Sequence, residues 1–191
     1  MEIKLHNGAT LRIEREQDTE SPRRDFDNLW TWVSNNRTYF SSDKNANESV
    51  LDEYFDFDGD EDDVMEIGEI YLIVPIYAYI HGGCTVSLNK FSDLFDSGVG
   101  FVAYVAKADL EKNGISEENA IEELRGEVEM YDLWLNGNTF WYELTDENGN
   151  FDDSCGGFFG IKSLVSSLRD YELIPKEDVA YLESLDDYDI D

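Results

Sequence analysis

The sequence predicts an α+β fold, a mixed or antiparallel sheet with packed helices, an acidic loop and an acidic C-terminal tail. Three observations carry this expectation. Asn7-Gly8 sits between Ile3-Lys4-Leu5 and Thr10-Leu11-Arg12-Ile13, a strong short-range hairpin signal. Tyr71 to Ile80 is an apolar run of strand length. Ile121, Leu124, Val128, Tyr131 and Leu135 recur at spacings of 3, 4, 3 and 4, one stripe of a helix.

Taken in order, the chain opens with that hairpin. Ser21-Pro22 starts a helix expected from about Asp25 to Ser34, with Phe26, Leu29, Trp30 and Val33 on one face. A polar stretch from Ser41 leads into Asp52 to Glu69, where ten acids meet no Lys or Arg; such a block repels itself, so a loop over about residues 41–69 is expected. Tyr71 to Ile80, Val86-Ser87-Leu88 behind the Gly82-Gly83 turn, Val99 to Val105, Thr139 to Leu144 and Gly157 to Phe159 supply the strands. The clearest helix begins at Ser116, with Glu117 and Glu118 suiting the positive end of its dipole, and ends at Asn136-Gly137. A last helix spans about Ile161 to Tyr171. The expected organisation is one α+β domain over residues 1–175 and an acidic tail over 176–191.

Composition limits what such a chain can do. Its 191 residues carry 44 Asp and Glu against 14 Lys and Arg, a formal net charge of -30, yet 14% are aromatic, which an acidic disordered chain does not carry. Residues 1–44 are nearly neutral, with 7 basic groups and 8 acids, so residues 45–191 hold almost the whole excess. A surface this negative is repelled by phosphates and anionic headgroups, which argues against direct nucleic-acid or membrane binding. The longest apolar stretch, Ile70 to Ile80, is 11 residues, short of a membrane span, and the N-terminus lacks the order of a secretion signal. A cytoplasmic protein is expected, with Cys84 and Cys155 reduced and structural. Self-repulsion favours a monomer, although a dimer with a neutral interface stays open.

Each candidate site competes with a plainer reading. Asp58, Asp60, Asp62, Glu66 and Glu69 fall at calcium-loop positions 1, 3, 5, 9 and 12, but Asp63 occupies the place that needs glycine, so a solvated acidic loop is preferred. His81-Gly82-Gly83-Cys84 has the residues of a nucleophile and base, and equally those of a tight turn between strands. Two His and two Cys without paired spacing fit no zinc site, and no phosphate-cradling glycine loop is present. Arg23, Arg24 and Arg37 form one small basic patch or, more simply, partners for nearby acids. No cofactor, metal or catalytic residue is expected.

What remains is the charge. Glu117, Glu118, Glu122, Glu123, Glu127, Glu129 and Asp132 fall within 16 residues, about 24 Å of helix, or about one negative charge per 3.4 Å, the phosphate spacing along one DNA strand. These seven, with Asp58, Asp60, Asp62 and Asp63 of the acidic block, are the expected partner-binding residues.

Several strings point to origin. They are Ser21-Pro22-Arg23 with Asp27-Asn28-Leu29; Pro75-Ile76-Tyr77-Ala78-Tyr79 with Gly82-Gly83; Asp96-Ser97-Gly98 with Val99-Gly100-Phe101; Gly126-Glu127-Val128-Glu129 with Tyr131-Asp132; and Asp153-Ser154-Cys155 with Gly156-Gly157-Phe158. Together they resemble a family of small, largely uncharacterised proteins encoded by bacteriophages and other mobile elements, with Leu94-Phe95 standing where that family usually has Pro-Trp. The resemblance implies a mobile-element origin. Extreme acidity in such a protein is similar in physical type to the antirestriction and anti-CRISPR DNA mimics. The expected function is therefore a non-enzymatic inhibitor of a host defence nuclease, an acidic DNA mimic that occupies the basic nucleic-acid groove of a CRISPR effector or restriction enzyme. The alternatives are a metal-dependent hydrolase or nuclease built on Asp27, Asp96 or Asp132, and a calcium-binding acidic accessory protein.

Overall fold

In the computed structural model, which describes residues 1–55 and 68–190, Asn7-Gly8 closes a hairpin between β1 (Glu2–Lys4) and β2 (Thr10–Arg15). Gly8 takes φ +87°, and the Asn7 side chain accepts from the Ala9 amide at 3.0 Å, so this dipeptide fits the turn for steric and hydrogen-bonding reasons. The chain is α+β, with two four-stranded antiparallel sheets and helices packed against them. It divides into two compact units, one of Met1–Glu20 with Leu133–Asp191, the other of Ser21–Asp132.

The first unit is built on the sheet β1-β2-β7-β8, with β7 at Thr139–Thr145 and β8 at Phe151–Phe159. Leu11, Ile13, Phe140, Tyr142 and Leu144 alternate onto its buried face. They meet Ile161, Leu164, Val165 and Leu168 of α5 (Ile161–Asp170). The outer face carries Arg12, whose guanidinium pairs with Glu14 and lies 5.6 Å from the Trp141 ring.

Residues 176–190, read from the sequence as an acidic tail, form α6 (Lys176–Leu182) and a 3-10 turn (Asp187–Asp189). Leu182, Leu185 and Ile190 join the core of the first unit. Arg15 donates to the Ile190 carbonyl at 3.0 Å and the Asp187 carbonyl at 2.7 Å, and Asp187 Oδ1 accepts from the first amide of α5, Ile161, at 2.6 Å. The acids of this segment thus include a helix cap, and its apolar residues are core.

The second unit is built on the sheet β3-β6-β4-β5: β3 at Thr31–Ser34, β4 at Tyr71–Ile80, β5 at Cys84–Ser87 and β6 at Ser97–Ala106. Central β6 is buried from Gly100 to Val105 because both sheet faces are covered. On one face Trp32, Phe101 and Tyr131 form an aromatic cluster with ring centroids 5.3 to 5.6 Å apart, Tyr131 coming from α4 (Glu117–Leu135). On the other, Val33, Val102 and Tyr104 pack with Val50 of α2 (Ser49–Phe55), and the Tyr104 hydroxyl accepts from the Asn47 amide at 2.7 Å.

The helix expected from Asp25 to Ser34 is not formed: α1 (Pro22–Asp25) is a single turn, and Thr31–Ser34 is strand. Asn28 Nδ2 donates to the carbonyls of Pro22 at 3.1 Å and Phe26 at 3.0 Å, closing a turn. Trp32, off the supposed helical stripe, is fully buried, whereas Phe26 on it is 50% exposed. Period two fits these residues, with Trp32 on one sheet face and Val33 on the other. The sequence does not predict two further helices: α2, which forms inside the stretch expected as a loop over about residues 41–69 because Val50 packs against Val33, Val102 and Tyr104, and α3 (Lys107–Asn113), stopped by Gly114 at φ +67°, where the Gly114 and Ile115 amides return to Glu111 and Leu110. Among the described residues no helix is long and apolar enough to cross a membrane.

One ion pair in the first unit gives it a pH signature. His6 Nδ1 lies 2.7 Å from Asp178 Oδ1, and the His6 amide donates to Asp178 Oδ2 at 3.0 Å. That hydrogen bond and the charge of Asp178 raise the His6 pKa above 6.5. Burial alone would raise Asp178, but the His6 ring, amide and charge together hold its carboxyl below 3.8. The His6 contribution is complete below pH 6.5 and is lost as pH rises through the raised value; that of Asp178 is present above pH 3.8 and is lost as pH falls through the lowered one. The difference in urea stability between wild type and a His6→Gln variant should therefore be largest between these limits and shrink above neutrality. A difference that stays flat from mildly acidic to mildly alkaline pH would contradict the pairing.

Candidate functional site

Helix α4 presents its acids on two sides, and the buried residues decide which. Ala120, Leu124, Val128 and Tyr131 face the core. At about 100° per residue, Glu118, Glu122 and Glu129 lie within about 40° of one another and roughly opposite that buried face. All three are exposed, as are Glu117 and Glu123. Lys107 of α3 stands 3.6 Å from Glu117, and Arg125 stands 3.3 Å from Glu122 within the row.

The other two acids of the helix turn inward. Glu127 Oε1 accepts from the Leu29 amide at 2.9 Å and the Trp30 amide at 3.3 Å, while Oε2 accepts from Arg23. Arg23, with a side chain only 8% exposed, also donates to Asp43 Oδ2 at 2.6 Å and the Trp30 carbonyl at 2.6 Å, and its guanidinium lies 4.1 Å from the Trp32 ring. Burial pushes the Glu127 carboxyl upward, against the pull of Arg23 and the two amides. Asp132 accepts from the Val86 amide of β5 at 2.8 Å, and burial raises its pKa too. The row of seven thus leaves five exposed carboxylates over 13 residues, about 20 Å, and the pairings with Lys107 and Arg125 reduce these to about one net charge per 6.5 Å. That is sparser than the spacing along a DNA strand.

Two of the basic trio enter such pairings, Arg23 with Asp43 and Glu127 and Arg37 with Glu48, while Arg24 is exposed. Cys84 and Cys155 are both free thiols. At Cys84, burial first and the Asp132 charge second raise the pKa, and burial pushes the Tyr131 hydroxyl up to about 12, an environment that keeps a thiol protonated. His81 Nδ1 lies 2.7 Å from Asp96 Oδ2, an orienting contact the sequence reading did not find. The β4–β6 register, Tyr79 opposite Ser97 with the Ile80 amide donating to the Asp96 carbonyl, makes the two neighbours although they lie fifteen positions apart in sequence.

Asp58, Asp60, Asp62 and Asp63, and with them most of the calcium register, lie outside the described residues. Among the described residues no group of three or more His, Cys, Asp or Glu side chains is arranged to hold a metal ion, so Asp27, Asp96 and Asp132 are not gathered into one.

Beside Asp96 the second unit has an open cleft of about 330 Å³, with Asn36, Tyr39, Phe40, Phe95 and Gly98 among its lining residues. Compared with known proteins, the chain matches no family model, no curated protein and no solved structure.

The two classes of acid on α4 should separate in a stability measurement. Glu127→Gln removes a charge that accepts from a buried guanidinium and two amides, and should cost about 1.5–3 kcal/mol in urea unfolding. Glu122→Gln, on the exposed row, should stay within about 0.5 kcal/mol of wild type. Equal effects would contradict the inward and outward assignment.

Proposed function

We propose that the protein is a non-enzymatic inhibitor that presents carboxylates to the basic nucleic-acid-binding surface of a protein partner. The observation that carries this reading is the alignment of Glu118, Glu122 and Glu129 on the solvent side of a 19-residue helix whose opposite side is packed. A helix holds its charges at fixed spacing, so a partner's Arg and Lys meet them at little ordering cost. The net charge of -30 adds a long-range field that speeds encounter with a basic surface and repels nucleic acid itself. The partner's identity as a host defence nuclease, a CRISPR effector or a restriction enzyme, rests on the resemblance to phage and mobile-element proteins.

The inward turn of Glu127 and Asp132 narrows the helix part of the proposed interface to Glu117, Glu118, Glu122, Glu123 and Glu129. Contact here is electrostatic and partly hydrated, so affinity depends on salt and on several weak pairs instead of one deep anchor.

The test is capture of partners at low salt from cells that carry defence systems, followed by competition against DNA. Captured proteins should be basic nucleic-acid binders that lose DNA when the inhibitor is added, with inhibition falling between about 0.1 and 0.5 M salt as the screening length shrinks below about 5 Å. Replacing Glu118, Glu122 and Glu129 with Gln should weaken binding roughly tenfold to a hundredfold, at about 0.5–1 kcal/mol per exposed contact, mainly through slower association. A partner that binds DNA and this protein together, or a complex indifferent to both salt and the triple substitution, would sink the proposal.

A further inference from the structure

The cleft in the second unit has a composition that the helix face does not explain. Its lining includes two glycines. Gly100 is required there by close approach, since a Cβ would fall 2.7 Å from the Ala78 Cβ and 3.3 Å from the Phe40 ring. At Gly98 a Cβ would meet nothing within 4 Å, so the absent side chain leaves open space. The β4–β6 pairing shifts register between Ile76 and Tyr77, beside this point, the kind of irregularity that re-aims side chains around a site.

Its rim holds aromatic side chains out in water. Phe95 is 99% exposed and Tyr39 is 59% exposed. The loop that carries Phe95 is fixed: Asp93 Oδ1 accepts from the Phe95 amide at 2.8 Å and the Asp96 amide at 3.1 Å, and the Ser97 hydroxyl donates to the Asp93 carbonyl. Those two amides hold the Asp93 carboxyl below its usual range. A large apolar side chain carried almost wholly in solvent does nothing for the core, and suits a surface another molecule covers.

The polar lining selects the ligand. Asp96 contributes a carboxylate 39% exposed, one oxygen of which is held by His81, and a carboxylate has further lone pairs to offer. Asn36 adds an amide, and the described lining residues include no Lys or Arg. An anion would be repelled. An apolar side chain would cover Asp96 and strip its water without a compensating partner. A planar cation satisfies both the aromatic rim and the carboxylate.

We propose that this cleft binds an arginine side chain of a protein partner, its guanidinium between Tyr39 and Phe95 and donating to Asp96. This rests on the reading of the partner as a basic protein and adds a specific pocket to a diffuse electrostatic face. It supplies short-range selection, whereas the acids of α4 supply attraction.

The experiment uses the full chain labelled with ¹⁵N and titrated with N-acetyl-arginine amide, with the lysine, leucine and glutamate amides as comparators. Saturable shifts should appear at the amides of Asn36, Tyr39, Asp96, Gly98 and Gly100 with the arginine probe. The lysine amide should bind more weakly, and the leucine and glutamate amides not at all. Asp96→Asn and Phe95→Ala should each weaken the arginine probe by about fivefold or more while the remaining spectrum confirms the fold. The Glu118, Glu122 and Glu129 to Gln variant should bind the probe as wild type does, so failure of the pocket and failure of the helix-face reading are told apart. Shifts that grow without saturation across the whole acidic surface, or an equal response to lysine or leucine, would overturn the proposal.

Discussion

Arg23 has a side chain only 8% exposed, in a chain where acids outnumber basic residues by thirty, and the second unit is arranged around it. Its guanidinium joins the Trp30 carbonyl and the face of Trp32 at the start of β3 to Asp43 and to Glu127 of α4, three separate pieces of chain. The two carboxylates in turn accept the amides of Leu29, Trp30 and Trp32. Removing the cation would leave two largely buried carboxylates facing one another, the arrangement whose cost is highest for buried ion pairs. The same network fixes the rotation of α4, because a helix that must offer Glu127 to Arg23 turns Glu118, Glu122 and Glu129 away from it.

The fold therefore sorts an excess of acid by environment. Glu127 and Asp132 accept backbone amides inside the second unit, and Asp178 and Asp187 do the same in the first. Carboxylates used this way satisfy donors that burial would otherwise leave without partners. The acids that remain outside are free for the work proposed for them, and they are fewer than a count along the sequence suggests.

Much of the architecture was legible because burial writes a period into the chain. The run Tyr71–Ile80 and the stripe Leu124, Val128, Tyr131 each allow one reading, and each forms the element expected. The segment from Phe26 to Ser34 allows two, since its apolar residues fit a helix face and an alternating strand alike. The choice fell to Trp32, whose partners Phe101 and Tyr131 lie about seventy and one hundred positions away. The C-terminal segment is hard to read for a related reason: its acids dominate the composition, while Val179 and Leu182 of α6 and Leu185 just beyond it recur every third position and pack in the core. The site was less legible still. That Glu127 points inward depends on an arginine about a hundred residues earlier, that Asp132 does depends on the Val86 amide of β5, and the His81–Asp96 contact and the cleft exist only through the β4–β6 register.

The central claim is that Arg23 holds the inner carboxylates and through them the orientation of α4. Amide hydrogen exchange in an Arg23→Met variant tests it most directly, with α5 of the first unit as the internal reference. The account predicts that the Leu29, Trp30 and Trp32 amides lose protection by about two orders of magnitude or more, as about 3 kcal/mol of local stability is removed, while α5 exchanges as before. Unchanged protection at those three amides would contradict it.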